Sequence, residues 1–255
     1  MMRWRERREG PVDEENPYWV SFSDIMAALL VVFMLAAVVL MLQLVERQRQ
    51  LQTLQERFET EFAQLEAAEQ VRRDVLERIH ATLVERGIDV QISENHSVLR
   101  ISDAVIGFDT GAFEIAPAYQ PAARQIGEVI AEVVTSGKAI EHLDTIFIEG
   151  HTDRRPLDRP QMKGNWGLST FRAISLWEFW NEQLPQEKQL GALKNHQGEA
   201  LFSVSGYAAT RPADSTGTGE TALRQNRRID IRFTIRRPDR LEYEAVGQTL
   251  EGFTP

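Results

Sequence analysis

The chain has 255 residues and not one cysteine, so disulfides and thiolate chemistry are excluded. It has only five histidines, and none falls in a tight ligand spacing such as HExxH, which argues against a catalytic metal. No nucleophile–base pairing stands out, and the reading is of a non-enzyme without cofactor or metal. Positive charge is also short: 29 Lys and Arg against 38 Asp and Glu, a formal net charge of −9. A surface of that sign does not suit nucleic acid, whose phosphates need cations. The stretch from 43 to 86 has no proline and no glycine, and 25 to 42 has no polar residue at all.

What fills those two stretches sets the organisation. Ile25 to Leu42 is a run of 18 residues drawn only from Ile, Met, Ala, Leu, Val and Phe. At about 1.5 Å per residue it nearly crosses a hydrocarbon core, and Trp19, Val20 and Phe22 extend it. It exceeds the apolar core of a cleavable signal, and no A-x-A-like site follows. A single uncleaved transmembrane helix over 18–42 is predicted, with Tyr18 and Trp19 as interfacial anchors. Arg3, Arg5, Arg7 and Arg8 precede it and Arg47, Arg49 and Arg57 follow, a slight bias toward a cytoplasmic N-terminus. Residues 1–17, with Gly10-Pro11 and Asn16-Pro17, read as a cytoplasmic tail.

From 43 to 86, Leu51, Leu54, Phe58, Phe62 and Leu65, then Val75, Ile79 and Leu83, recur at helical spacing. A long amphipathic helical linker is predicted, broken at most once. Its apolar stripe has two readings: pairing with a second copy, or packing on its own domain. From 87 to 237 strand patterns (98–102, 145–149, 201–205, 229–235) alternate with helical ones (118–135, 168–180), which implies one α+β domain. Residues 238–255 form a polar tail.

Two places carry candidate chemistry. Asp24 stands at the edge of the apolar run, with Ser21 and Ser23 just before it. All three suit an N-cap, and a cap at the helix start satisfies free backbone amides. The other reading is an intramembrane proton carrier, with Ser21 and Ser23 along its path, because acids at such depth are costly unless they serve a function. One helix cannot enclose a proton path, so that reading requires a multi-span partner. The second place is EGHTD (149–153) at a strand end, followed by NWGLSTFRA (165–173). Asn165 suits a helix cap, and Leu168 and Arg172 lie four apart on one helical face. Asp153 and Arg172 could form a plain ion pair, or share a zwitterionic ligand, Arg172 taking a carboxylate and Asp153 an ammonium. A lone His151 reads as structural.

Five ordered segments, FDTGAFEIAP (108–117), EGHTD, NWGLSTFRA, SGYAATRPAD (205–214) and RQNRRIDIRF (224–233), resemble the OmpA/MotB peptidoglycan-binding family. The spacing from EGHTD to Asn165 and the following Trp166 resemble the MotB branch. The PYWVSFSD stretch looks closest to the MotB-like subunit, ZorB, of the Zorya anti-phage defence systems. The resemblance implies an OmpA-like periplasmic α/β sandwich domain behind one membrane helix. It implies Asp24 as the proton-carrying carboxylate of a stator in the bacterial inner membrane. It implies Asp153, Asn165, Leu168 and Arg172 as the site for the diaminopimelate of a peptidoglycan stem peptide. Asn226 and Arg228 match the NRR segment, with a mainly structural role. The implied partners are a second copy of the chain and a MotA/ZorA-like multi-span subunit, as a pentamer around the dimer. Anti-phage defence, a flagellar motor and passive wall anchoring stand as alternative outputs.

Overall fold

The computed structural model describes residues 17–93, 95–159, 163–215, 217 and 219–236. The tails expected over 1–17 and 238–255, including the four early arginines, lie outside the described residues apart from Pro17. The chain divides into two units, Met1–Thr60 and Glu61–Pro255.

The first unit is carried by helix α1 (Pro17–Glu85), whose residues from 61 on belong to the second. Proline suits a first helical turn, and from there to Glu85 nothing breaks the pattern. The break allowed for in the linker does not occur. Its N-terminal part is long and apolar enough to cross a membrane, with a mean hydropathy of 3.1 over the richest window. Because the helix starts at Pro17, Ser21, Ser23 and Asp24 lie inside it, and the first turn contains no acid. The capping reading of these three residues therefore fails: no free N-terminal amide is within their reach.

The second unit is an α/β domain. A mixed sheet of the described residues runs in the order β1 (Gln91–Ile92), β2 (Val98–Ser102), β5 (Arg228–Ile235), β3 (Leu143–His151), β4 (Phe202–Gly206). Pairing is antiparallel except between β3 and β4, which run parallel. That parallel pair needs a crossover, supplied by α4 (Gly164–Gln183). The remaining helices are α2 (Gln120–Thr135), the short α3 (Ala139–His142) and α5 (Glu220–Asn226).

Period-two alternation explains the two faces of the sheet. Leu99, Ile101, Ile146, Ile148, Ile229, Ile231 and Phe233 join one buried core with α2 and α4. Val75, Leu76, Ile79 and Leu83 of α1 belong to that same core. The C-terminal part of the apolar stripe thus packs on its own domain, and the compact unit begins well before residue 87. Leu51, Phe58 and Phe62, farther up the helix, are exposed.

Helix α4 lies unusually close to the sheet. A Cβ at Gly150 would overlap the carbonyl oxygen of Ser169, and one at Gly206 would overlap Thr170 and Ser169. Ser169 Oγ in turn accepts the Ala208 amide at 3.0 Å. This contact seats the start of α4 against the ends of β3 and β4. Gly150→Ala is expected to cost about 3 kcal/mol or more, since backbone must move to admit the methyl group. Chemical denaturation measures it.

Candidate ligand-binding site

The site forms at one end of the sheet, where β3 and β2 finish and β5 begins. Asp153 lies two residues past β3, Asp103 one past β2, and Arg227 one before β5. Arg227 ties these ends together: Nε donates to Asp103 Oδ2 at 2.7 Å, Nη1 to Asp153 Oδ2 at 2.8 Å and Nη2 to Glu220 Oε1 at 3.1 Å. Asp153 also accepts the Arg155 amide on Oδ1 at 2.9 Å and Arg155 Nε on Oδ2 at 3.0 Å. Burial pushes the Asp153 carboxyl up, but the bonds from Arg155 and Arg227 outweigh it and hold it below the usual carboxylate range.

Arg172 comes into the site from α4 and is 6% exposed. The plain ion pair with Asp153, one of the two readings, does not form; no carboxylate lies within 4.0 Å of Arg172 among the described residues. Asp153 is instead satisfied by Arg155 and Arg227. Arg172 Nε donates to the carbonyl of Ala112 at 3.0 Å and Nη2 to that of Asp109 at 3.4 Å. Its guanidinium lies 4.8 Å from the centre of the Phe108 ring. These contacts explain the FDTGAF segment. Its loop presents carbonyls to Arg172, Gly111 adopts a φ of +72° and Arg159 Nη1 holds the Gly111 carbonyl at 3.0 Å. Burial, with the nearby Arg227, draws Arg172 down to about 10, against the pull of Asp103 and Asp153. Arg172 is thus a desolvated cation whose charge no carboxylate among the described residues neutralises.

Asn165 does not cap α4. Lys163, in the left-handed region at φ 53°, precedes the helix, which starts at Gly164. Asn165 Nδ2 instead donates to the carbonyls of Arg155 at 2.9 Å and Asp153 at 3.3 Å, fixing the loop that follows β3. Leu168 is buried one turn before Arg172 on the same face. Asn165 is thus tied to the loop that carries Asp153, while Arg172, one turn after Leu168 on α4, is tied to the 109–112 loop. Arg227, Arg155, Asp103 and Glu220 went unnoticed in the sequence. Each is a surface-type charge, and only the pairing of chain segments far apart brings them together.

Beneath the site, on the sheet face away from the helices, Glu149, His151 and Asp230 bring their ligand atoms within 4.8 Å of one another. Their types suit a metal, but arginines already hold the cationic positions. Arg232 binds both oxygens of Glu149 at 2.8 and 2.9 Å, and Arg228 Nε both of Asp230 at 3.0 Å. A metal would have to displace a buried guanidinium, so the cluster reads as a structural ion network. Arg228 accordingly takes the structural part expected of it. Asn226, likewise structural, accepts the Ala213 and Asp214 amides at 2.7 and 3.1 Å.

His151 stacks on Tyr207, and neither ring nitrogen makes a hydrogen bond. Burial, then Arg228 and further arginines, lowers it to about 3. An unfolded histidine titrates near 6.5, so the unfolded chain binds the extra proton between these values. Stability from His151 is complete above about pH 6.5 and is lost as pH falls toward 3, on the order of 4 kcal/mol in all. His151→Phe should flatten the pH dependence of urea unfolding between pH 7 and 4. An unchanged slope would mean that His151 is not held neutral.

Residues 107–227 match the OmpA family. The domain is OmpA-like. Asp153, Arg155, Asn165, Leu168, Arg172, Glu220 and Arg227 fall within that match; Asp103, Arg228, Asp230 and Arg232 lie outside it. Across most of its length the chain is similar to an uncharacterized protein, YtxE, of Bacillus subtilis (strain 168), 23% identical over 248 residues. That alignment covers 89% of this chain and 93% of the relative. The OmpA domain and its flanks are also similar to solved structures. One is a putative MotB-like protein from Desulfovibrio vulgaris, 18% identical, covering 68% of this chain and 99% of that one, with a TM-score of 0.49. Another is the cell wall anchor of the T6SS from Pseudomonas aeruginosa, 19% identical, 63% and 97% covered, with a TM-score of 0.44. A third is the periplasmic domain of Helicobacter pylori MotB, 17% identical, 65% and 92% covered, with a TM-score of 0.42.

Proposed function

We propose that this chain is the wall-held subunit of an ion-driven stator in the bacterial inner membrane. The apolar part of α1 spans the membrane with its N-terminus in the cytoplasm. Asp24 carries the proton, and the OmpA domain grips peptidoglycan from the periplasm. The observation that carries the wall-binding part is Arg172: buried, charged and without a carboxylate, next to Asp153. The free end of a diaminopimelate residue offers one carboxylate and one ammonium, the complement of that pair. Asn165 and Leu168 shape the loop and helix that hold the two groups in place.

The position of Asp24 supports transport over passive anchoring. It lies seven residues inside a helix that starts at Pro17, where it has no cap to make. An acid retained in an apolar helix without a capping role calls for a functional partner. A MotA/ZorA-like multi-span subunit fits, arranged as a pentamer around a dimer of this chain, with Ser21 and Ser23 beside the proton path. For the output we favour Zorya-type phage defence over a flagellar motor, on the PYWVSFSD stretch that opens α1.

Sedimentation of the full-length protein with purified sacculi tests the wall-binding part. Pelleting that free stem peptide suppresses is the expected result; a protein that stays in the supernatant would contradict it.

A further inference from the structure

The Asp153 half of the site is not vacant. Its Oδ1 accepts the Arg155 amide, and its Oδ2 accepts Arg227 Nη1 together with Arg155 Nε and Nη2. The two arginines differ in how firmly they are held. Arg227 is 19% exposed and spends all three of its nitrogens on Asp103, Asp153 and Glu220. Arg155 is 56% exposed, and its one other side-chain partner among the described residues is Glu220, with Nη1 3.5 Å from Oε2. Glu220 is itself 55% exposed. The Arg155 backbone is fixed independently, by Asp153 through its amide and by Asn165 through its carbonyl. Its side chain can therefore leave Asp153 without moving the loop, and Glu220 is an acid already in place to receive it.

We infer that the Arg155 side chain is an internal stand-in for the ligand's ammonium group, displaced from Asp153 when a stem peptide binds. This rests on the reading of the site as a stem-peptide pocket. The two halves of the site then behave differently. A ligand carboxylate meets Arg172, which holds no competing carboxylate. A ligand ammonium must exchange with a guanidinium that already makes charge-assisted bonds to the same oxygens. Arg155 thus weakens the binding of ammonium-bearing ligands and leaves carboxylate-only ligands untouched, which makes it a determinant of specificity.

Titration calorimetry on the full chain in detergent tests this with two probes. One is a stem tetrapeptide with diaminopimelate at its third position; the other is the same peptide acetylated on the free diaminopimelate amine. Arg155→Ala is expected to bind the first about tenfold more tightly than wild type, and the second equally well. Its melting temperature should hold, because Arg227 still pairs Asp153. Unchanged or weaker binding of the free-amine peptide by Arg155→Ala, while wild type binds and Arg172→Ala does not, overturns the role of Arg155 alone. Equal loss of both peptides, with a lower melting temperature, marks Arg155 as merely structural and overturns it too. If folded wild type and folded Arg155→Ala both bind neither peptide, the stem-peptide reading fails and this inference fails with it.

Discussion

Replacing Arg172 with methionine should abolish retention on peptidoglycan while leaving the domain about as stable as before. The two halves of this expectation have one cause. The guanidinium is buried, and burial with Arg227 nearby lowers it to about 10. Its protein partners are two loop carbonyls and the face of Phe108, not a carboxylate. Those contacts contribute to folding, but the cost of desolvating an unpaired cation offsets them. A methionine side chain fills similar volume without that cost. Binding has no such compensation. A bidentate, charge-assisted contact to a carboxylate is worth about 3–5 kcal/mol, so affinity should fall by roughly two to four orders of magnitude. Thermal melts and sacculus pelleting, run side by side, separate the two effects. A variant that unfolds would assign Arg172 to the scaffold; one that still pellets would remove it from the site.

The second large effect is expected at the other end of the chain. Asp24→Asn should eliminate ion-driven output, measured as phage protection or proton flux, with normal protein levels and normal membrane insertion. Asparagine is nearly isosteric and hydrogen-bonds well, but its amide cannot take up and release a proton. Since Asp24 lies inside α1 and caps nothing, the substitution should disturb the helix by only a few tenths of a kcal/mol. Loss of output would then report on titration rather than folding. Full output from the asparagine variant would reduce the chain to a passive anchor.

Much of the architecture was legible from pattern. The strand over 98–102 stands where alternation placed it, and the strands near 145–149, 201–205 and 229–235 differ only at their ends. Alternation along β5, with Ile229, Ile231 and Phe233 between Arg228, Asp230 and Arg232, matches a strand with one apolar and one charged face. The site was legible only in part. Asp153 and Arg172 were visible because they sit in recognisable segments. Arg227 was not, because its partner Asp153 lies 74 residues away and charge alone does not identify a partner. Asn165 looked like a cap from its place before an apolar run, but Lys163 in the left-handed region starts the helix earlier and frees the amide for the loop. At Asp24 the sequence left two readings open, and only the capping one falls. Serines and an acid ahead of apolar residues suggest a helix start, yet Tyr18, Trp19 and Val20 already belong to α1.

In the proposed function, Asp153 and Arg172 together read a zwitterion on the peptidoglycan stem. The most direct test of this is a calorimetric titration of the full-length protein in detergent with two tetrapeptides that differ only at the third residue, diaminopimelate in one and lysine in the other. Lysine keeps the ammonium but lacks the carboxylate that Arg172 would hold. Saturable binding of the diaminopimelate peptide is expected, with the lysine peptide weaker by at least about thirtyfold. Equal affinity for the two, or no binding of either, would contradict it.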